Sequence, residues 1–373
     1  MQYTDIELAQ IFLSSCPGMT PKKYKKFIEP FRDELDAVRH AKELPYSIFG
    51  KQEAVVREYL KDKSAFRNYL KLLDEKKIIC LTRASQNYPH VLLDFDDAPI
   101  MLYAKGNVQR MNFSLQQSIT IVGSRQPTRY GETVTKLFAG DLSASGVTIV
   151  SGLAIGVDAC AHAAAIDAGG MTIGIVSGGV DCGIPTDNID LAKRILDADG
   201  VILSEYAPGT PVRPWMFAQR NRILSGLTCG TLLVQAREKS GAMITVDHAQ
   251  DQGKTVFCVP GEITQSASYW PNRLLREGAI PVLQAQDILD EFAWDGRVLG
   301  STKKNSLDWT DRSDVEQKIL LALSKGQLTV EKLCDMTNLS MQSLMSHLTS
   351  LEMEGIIKQF PGHIVDILDA YRP

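Results

Sequence analysis

Val147-Thr-Ile-Val-Ser-Gly-Leu-Ala-Ile-Gly-Val-Asp158 is the stretch on which the reading of the fold turns. Val147 to Val150 is β-branched throughout and does not alternate with polar residues, as expected of a strand covered on both faces. Two glycines follow, and then an alanine-rich segment with helical spacing over 157–168. A strand, a glycine turn and a helix in immediate succession form the repeating unit of α/β proteins.

The same texture recurs on either side. Strands are expected at Ile119–Val122, Val147–Val150, Thr172–Val176, Val201–Ser204, Thr231–Gln235 and Thr255–Val259, with a seventh at Ile280–Leu283. Helical patterns lie between them near 131–145, 157–168, 188–198, 218–226, 241–252 and 270–277. Crossover helices between successive apolar strands imply a doubly wound, Rossmann-like parallel sheet, expected to span 78–298 with an extended lead-in.

Ahead of it, 1–77 reads as a domain of short helices, through Ile6, Leu8, Ile11 and Phe12 and again through Val55, Val56, Tyr59 and Leu60. Pro17-Gly18-Met19-Thr20-Pro21-Lys22-Lys23 supplies a glycine turn, a Thr N-cap and a Pro at the first helical position, a helix-hairpin-helix pattern continued by Lys25 and Lys26. It reads as a packing module with a solvated lysine face more readily than as a phosphate site. After a polar linker at 299–313, helices at 315–323, 329–337 and 341–353 and extended runs at Ile356–Gln359 and Ile364–Ile367 around Pro361-Gly362 give a winged-helix pattern over 314–373.

Composition narrows the function. Among 373 residues the formal net charge is -4, so no overall basic field exists and any nucleic-acid site must be local. Seven cysteines without a CxxC pair read as reduced thiols, with neither a disulfide framework nor zinc, and the six histidines show no paired ligand spacing. Neither a leader pattern nor a long apolar run is present, so a soluble cytoplasmic protein without membrane contact is expected.

The chemistry concentrates at strand ends. Gly123-Ser124-Arg125 follows the first strand, and Ser151, Gly152 and Gly156 follow the second with a spacing that is not GxGxxG, so no dinucleotide and no other cofactor is expected. Ser177-Gly178-Gly179, Ser204-Glu205, Arg220-Asn221-Arg222, Ser240-Gly241 with Thr245, and Pro260-Gly261 stand beyond later strands or at helix entrances. Ligands of open α/β sheets bind outside the carboxyl ends of the strands. The expected phosphate pocket is therefore Arg125, Arg220 and Arg222 with loop amides at Ser124, Gly152 and Gly241.

GSR at 123–125, SGLAIGVD at 151–158, AH at 161–162, SGGVD at 177–181, SE at 204–205, RNRIL at 220–224, SGAMIT at 240–245, VPG at 259–261 and EGA at 277–279 together resemble the DprA/Smf (DNA-processing protein A) family. The resemblance implies single-stranded DNA binding, homodimerisation, and loading of the strand onto a RecA-type recombinase during natural transformation, in competent cells. No catalytic turnover is expected, since the sequence offers no nucleophile, metal cluster or Walker-type phosphate loop. It also implies a dimer contact near Trp270–Leu283, where Leu274, Leu275 and Ile280 are the apolar candidates beside Arg273 and Arg276. The chain departs from the family pattern at Ile184-Pro185, at Phe217-Ala218, at Gln235, where a Glu is usual, and at Tyr269-Trp270-Pro271-Asn272, which replaces a Gly-x-Asn loop. No Lys or Arg stands between Ile184 and Lys193.

Two other readings are weighed against this one. A hydrolase of the phosphoribohydrolase type would assemble Asp158, His162, Glu205 and Glu262 into an acid/base site. The simpler reading makes Asp158 a first-turn residue on the helix dipole, with His162 packed beside it. A winged-helix regulator would read duplex DNA, yet 314–373 holds five Lys/Arg against eight Asp/Glu, and Met341–Met353 has no Lys or Arg.

Overall fold

The structure is a computed structural model that describes residues 3–40, 45–294, 313–323, 328–337, 339–353, 356–360 and 364–367. The expected linker at 299–313 lies outside the described residues apart from Ser313, as does the Pro361-Gly362 turn. Two compact units are formed, Met1–Leu299 and Gly300–Pro373.

The larger unit begins with helices α1 (Asp5–Ser14), α2 (Pro21–Ile28), α3 (Glu34–Arg39), α4 (Glu53–Lys61) and α5 (Lys63–Glu75). Thr20 caps α2 as expected, its side chain accepting from the Lys23 amide, and Lys23 Nζ folds back onto the Gly18 carbonyl at 3.2 Å. The head does not stand apart from the sheet, because Ile11, Leu73 and Ile78 share one apolar cluster with Met101, Tyr103 and Ile202.

The sheet comprises β1 (Ile79–Thr82), β2 (Met101–Gly106), β3 (Ser118–Val122), β4 (Thr148–Ser151), β5 (Thr172–Ile175), β6 (Val201–Ser204), β7 (Gly230–Leu233), β8 (Thr255–Cys258) and β9 (Ile280–Pro281). Its order is β1-β2-β6-β5-β4-β3-β7-β8-β9. Strands β3 to β9 pair in parallel, whereas β1 and β2 run antiparallel at the β6 edge. The lead-in thus extends the sheet by two strands.

Between the strands run α6 (Val108–Ser114), α7 (Arg129–Ala144), α8 (Val157–Asp167), α9 (Ile189–Asp197), α10 (Pro214–Leu227), α11 (Ala242–Asp251), α12 (Tyr269–Arg276) and α13 (Ala285–Glu291). The two-residue period of a strand sends Ile119 and Ile121 to a cluster with α7, α8 and α13. Val122 points instead to a cluster built from α6, α10, α11 and α12. Both faces are therefore dry, which is why these strands read as uninterrupted apolar runs.

The smaller unit holds α14 (Asp314–Leu323), α15 (Val330–Thr337) and α16 (Met341–Met353) with β10 (Leu328–Thr329), β11 (Ile357–Phe360) and β12 (Ile364–Ile367) paired in the order β10-β12-β11. Leu320, Leu323, Leu333, Leu344, Leu348 and Val365 form its core. This is the winged-helix arrangement expected from the sequence.

Candidate nucleic-acid interface

From β3 the chain winds one way through β4, β5 and β6, then returns to the other side of β3 with β7, β8 and β9. A reversal of this kind leaves a crevice outside the carboxyl ends of the strands, between loops that diverge above and below the sheet. Here it is a cavity of about 490 Å³, lined from the loop after β3 by Gly123, Ser124 and Arg125, from the loop after β4 and the start of α8 by Ile155 and Asp158, from α10 by Phe217, Arg220 and Asn221, and from the loop after β7 and the start of α11 by Arg237, Lys239, Ser240, Gly241 and Thr245.

The loops sit close together because of two glycines. Gly156 enters α8 at φ +85°, and a Cβ on it would lie 2.4 Å from the Ser124 carbonyl oxygen, so only glycine lets the β3 and β4 loops stack. At Gly152 an added Cβ would meet both the Arg220 guanidinium and the Asp158 carboxylate at under 3 Å. Ser151 is fully buried and donates to the Ile121 carbonyl at 2.6 Å, which ties the two strand ends together. Ser151, Gly152 and Gly156 thus shape the crevice from beneath and do not line it.

Arg220 forms the floor. It is 4% exposed, and its Nη1 donates to the Gly152 carbonyl at 2.7 Å and to the Ile175 carbonyl, while Nε donates to Asn221 Oδ1 at 3.2 Å. Asp158 Oδ2 accepts from the amides of Gly152 at 3.1 Å and Ala154 at 3.4 Å. Burial raises the Asp158 carboxyl, against the opposing pull of the Arg220 charge and these amides. Burial also draws Arg220 down to about 10, so the guanidinium stays charged at neutral pH.

Arg125, Arg237 and Lys239 are exposed on the rim. Arg125 lies over the Phe217 ring, 5.0 Å from its centroid, and no carboxylate lies within ion-pair distance of any of the three among the described residues. With Arg220 the crevice holds four cations against the single carboxylate of Asp158. Helix α11 adds the positive end of its dipole, with no acidic residue in its first turn. A Cβ on Gly241 would meet nothing within 4 Å, so the entrance of α11 is open to a ligand.

Arg222 is the correction to the expected pocket. Its Nη2 bonds both oxygens of Glu205, at 2.7 and 2.6 Å, and its Nε lies 3.3 Å from Asp97. Two residues along a helix turn a side chain by roughly 200°, so Arg222 faces away from the crevice that Arg220 floors. Arg237 and Lys239 escaped the sequence reading. Their signal was present in Arg237-Glu238-Lys239, directly after an apolar strand and directly before Ser240-Gly241.

The expected apolar dimer patch is also revised. Leu274 is 3% exposed and belongs to the core, and Leu275 and Ile280 are half-buried against the two core clusters. Leu283, 77% exposed just after β9, is the apolar side chain that the sheet edge presents.

The four residues of a hydrolytic site have separate partners. His162 is fully buried; Thr172 donates to the Ile149 carbonyl and so accepts from His162 Nδ1 at 2.7 Å, and burial lowers the imidazole pKa to about 3. It is a neutral structural group, paired with Thr172 and not with Asp158. Glu205 is held by Arg222, Glu262 is exposed in the loop after β8, and only Asp158 lines the crevice. Among the described residues no cluster of three metal-ligating side chains occurs, and no helix is long and apolar enough to cross a membrane.

The fold and site define an α/β protein with a doubly wound sheet whose switch-point crevice is lined by four cations and one carboxylate. The DNA recombination-mediator protein A family matches residues 79–293 and the DprA winged helix domain matches 308–363. This chain belongs to the DprA/Smf family. It is 40% identical over 218 residues to the DNA processing protein DprA of Bacillus subtilis, covering 58% of this chain and 72% of that one. It is 34% identical over 284 residues to Protein Smf of Escherichia coli, covering 75% of each. The X-ray structure of DNA processing protein A from Streptococcus pneumoniae superposes with a TM-score of 0.63 at 30% identity, over 78% of this chain and 99% of that one. DNA processing protein A from Helicobacter pylori, whose structure is described for its unique single-stranded DNA binding mode, gives 0.52 at 30% identity over 59% and 97%.

Proposed function

We propose that this protein binds single-stranded DNA along the carboxyl edge of its sheet and acts, without chemical turnover, as a recombination mediator that hands the strand to a RecA-type recombinase in natural transformation. The observation that carries this is the crevice itself, four cations and an open helix N-terminus against one carboxylate already held by two amides. Arg125, Arg237 and Lys239 neutralise phosphates from the rim. The loop amides at Ser124 and Gly241 donate to phosphate oxygens, and the buried Arg220 adds charge from below while holding the strand ends in place. The walls at Phe217, Ile155 and Ile244 are apolar and suit unpaired bases. The same strand binding reported of the Helicobacter pylori relative supports the reading.

Two copies in a homodimer would join two crevices into one track, raising avidity for long strands without new contacts. The winged helix contributes no basic recognition face, since α16 lacks Lys and Arg, and is assigned to protein contacts. We place the protein in the cytoplasm, where incoming strands and recombinase meet. The test is a titration of the full chain with labelled oligo-dT and duplex of equal length at two salt concentrations. Preference for oligo-dT with a salt-dependent affinity is expected; equal binding of duplex, or steady hydrolysis of nucleotide or DNA lost on Asp158→Asn, overturns the reading.

A further inference from the structure

The strip of chain that carries Arg237 and Lys239 is fastened to the segment before and within α12. Ala236 N donates to the Ala267 carbonyl at 2.8 Å, Trp270 N donates to the Ala236 carbonyl at 3.1 Å, and the Trp270 indole Nε1 donates to the Glu238 carbonyl at 2.8 Å. Glu238 stands between the two crevice cations, so the Trp270 ring lies immediately beside the rim. Asn272 holds the other side, its amide exchanging two bonds with Gly261 at 3.1 and 2.9 Å.

Tyr269 and Trp270 meet edge to face, with centroids 5.5 Å apart, and Tyr269 is 38% exposed. Arg273 spans the pair, its guanidinium 5.4 Å from the Trp270 centroid and its Nη1 3.2 Å from the Tyr269 hydroxyl. Two aromatic rings and a guanidinium plane thus form a shelf that continues the basic rim. A core role does not account for Tyr269, because it is exposed, and no hydrogen bond other than the one to Arg273 holds its hydroxyl among the described residues.

We infer that the Tyr269–Trp270–Arg273 shelf is a base-stacking subsite for the unpaired nucleobases of a strand leaving the crevice past Arg237 and Lys239. The inference rests on the proposed strand binding. Every nucleobase has a π-face, so such a shelf adds affinity without sequence preference, and the flanking cations take the phosphates between the stacked bases. Trp270 positions the cation loop through its indole N–H, and Tyr269 offers the free ring.

The experiment compares oligo-dT with an abasic oligonucleotide of equal length and phosphate number, using the full chain. Tyr269→Leu keeps apolar bulk and removes the ring, and is expected to weaken oligo-dT binding by at least about fivefold, with abasic binding and the salt slope unchanged. Tyr269→Phe, which keeps the ring, is expected to bind as the wild type does. Unchanged oligo-dT binding by Tyr269→Leu overturns the shelf, as does equal weakening on the abasic strand or a change of mass in light scattering, which would assign the face to a second copy. Arg125→Ala separates the two readings. If it weakens oligo-dT binding while Tyr269→Leu does not, only the shelf falls, whereas a wild-type protein that ignores oligo-dT sinks both.

Discussion

Removing one rim cation should change the salt dependence of strand binding by a calculable amount. Arg125, Arg237 and Lys239 are exposed, line the crevice and have no carboxylate partner among the described residues, so the proposed strand path pairs three phosphates per crevice with one cation each. At about 0.7 counterions released per phosphate of a single strand, the slope of log K against log salt should be about −2.1. Arg125→Ala should bring it to about −1.4. Between about 50 and about 200 mM salt the wild-type affinity then falls about 18-fold and that of the variant about 7-fold. At the lower salt the variant should bind roughly fivefold more weakly, about 1 kcal/mol, as expected for one solvent-exposed ionic contact. Fluorescence anisotropy of labelled oligo-dT over a salt series measures both quantities. A variant with unchanged slope and affinity would show that phosphates do not pass Arg125, and the crevice would lose its role as the strand path.

Arg222→Ala should leave that slope unchanged, because the guanidinium is spent on Glu205 and Asp97, while lowering the thermal midpoint by leaving the buried Glu205 unpaired; a reduced slope would return Arg222 to the site. Arg220→Met should cost on the order of 3 kcal/mol of stability by stranding two strand-end carbonyls and removing the positive charge that offsets buried Asp158, read by denaturant midpoint, and a midpoint equal to wild type would refute the staple. His162 predicts a pH dependence. Its folded pKa of about 3 lies below the ordinary 6.5, so its contribution is complete above pH 6.5 and is lost as pH falls toward 3. The slope should be about 1.4 kcal/mol per pH unit. His162→Gln should remove that slope, and an unchanged pH profile would count against the buried neutral imidazole. Gly156→Ala should weaken strand binding and lower the melting temperature together, since its Cβ would displace the Ser124-Arg125 loop; wild-type behaviour in both would dismiss the stacked-loop geometry.

The parallel strands of the sheet were determined by the sequence alone. The six main ones are covered on both faces, so their apolar runs stand out locally and their observed bounds agree to within a residue or two with the reading. The winged helix was legible for the same reason, from apolar spacing along α14, α15 and α16. Strands β1 and β2 escaped as strands, because they lie outside the strand–helix repeat and join the sheet only through antiparallel pairing, β1 with β2 and β2 with β6. Which cations face the crevice was decided by tertiary structure. Arg220 and Arg222 look alike in sequence, yet the helical turn between them puts one under the crevice and the other into an ion pair with Glu205, a residue 17 positions away. Leu274 became core because α12 packs that face onto the sheet. Arg237 and Lys239 joined Arg125 only because the chain reverses its winding at β3 and lays β7 alongside it, a juxtaposition of residues more than a hundred positions apart that no local pattern encodes.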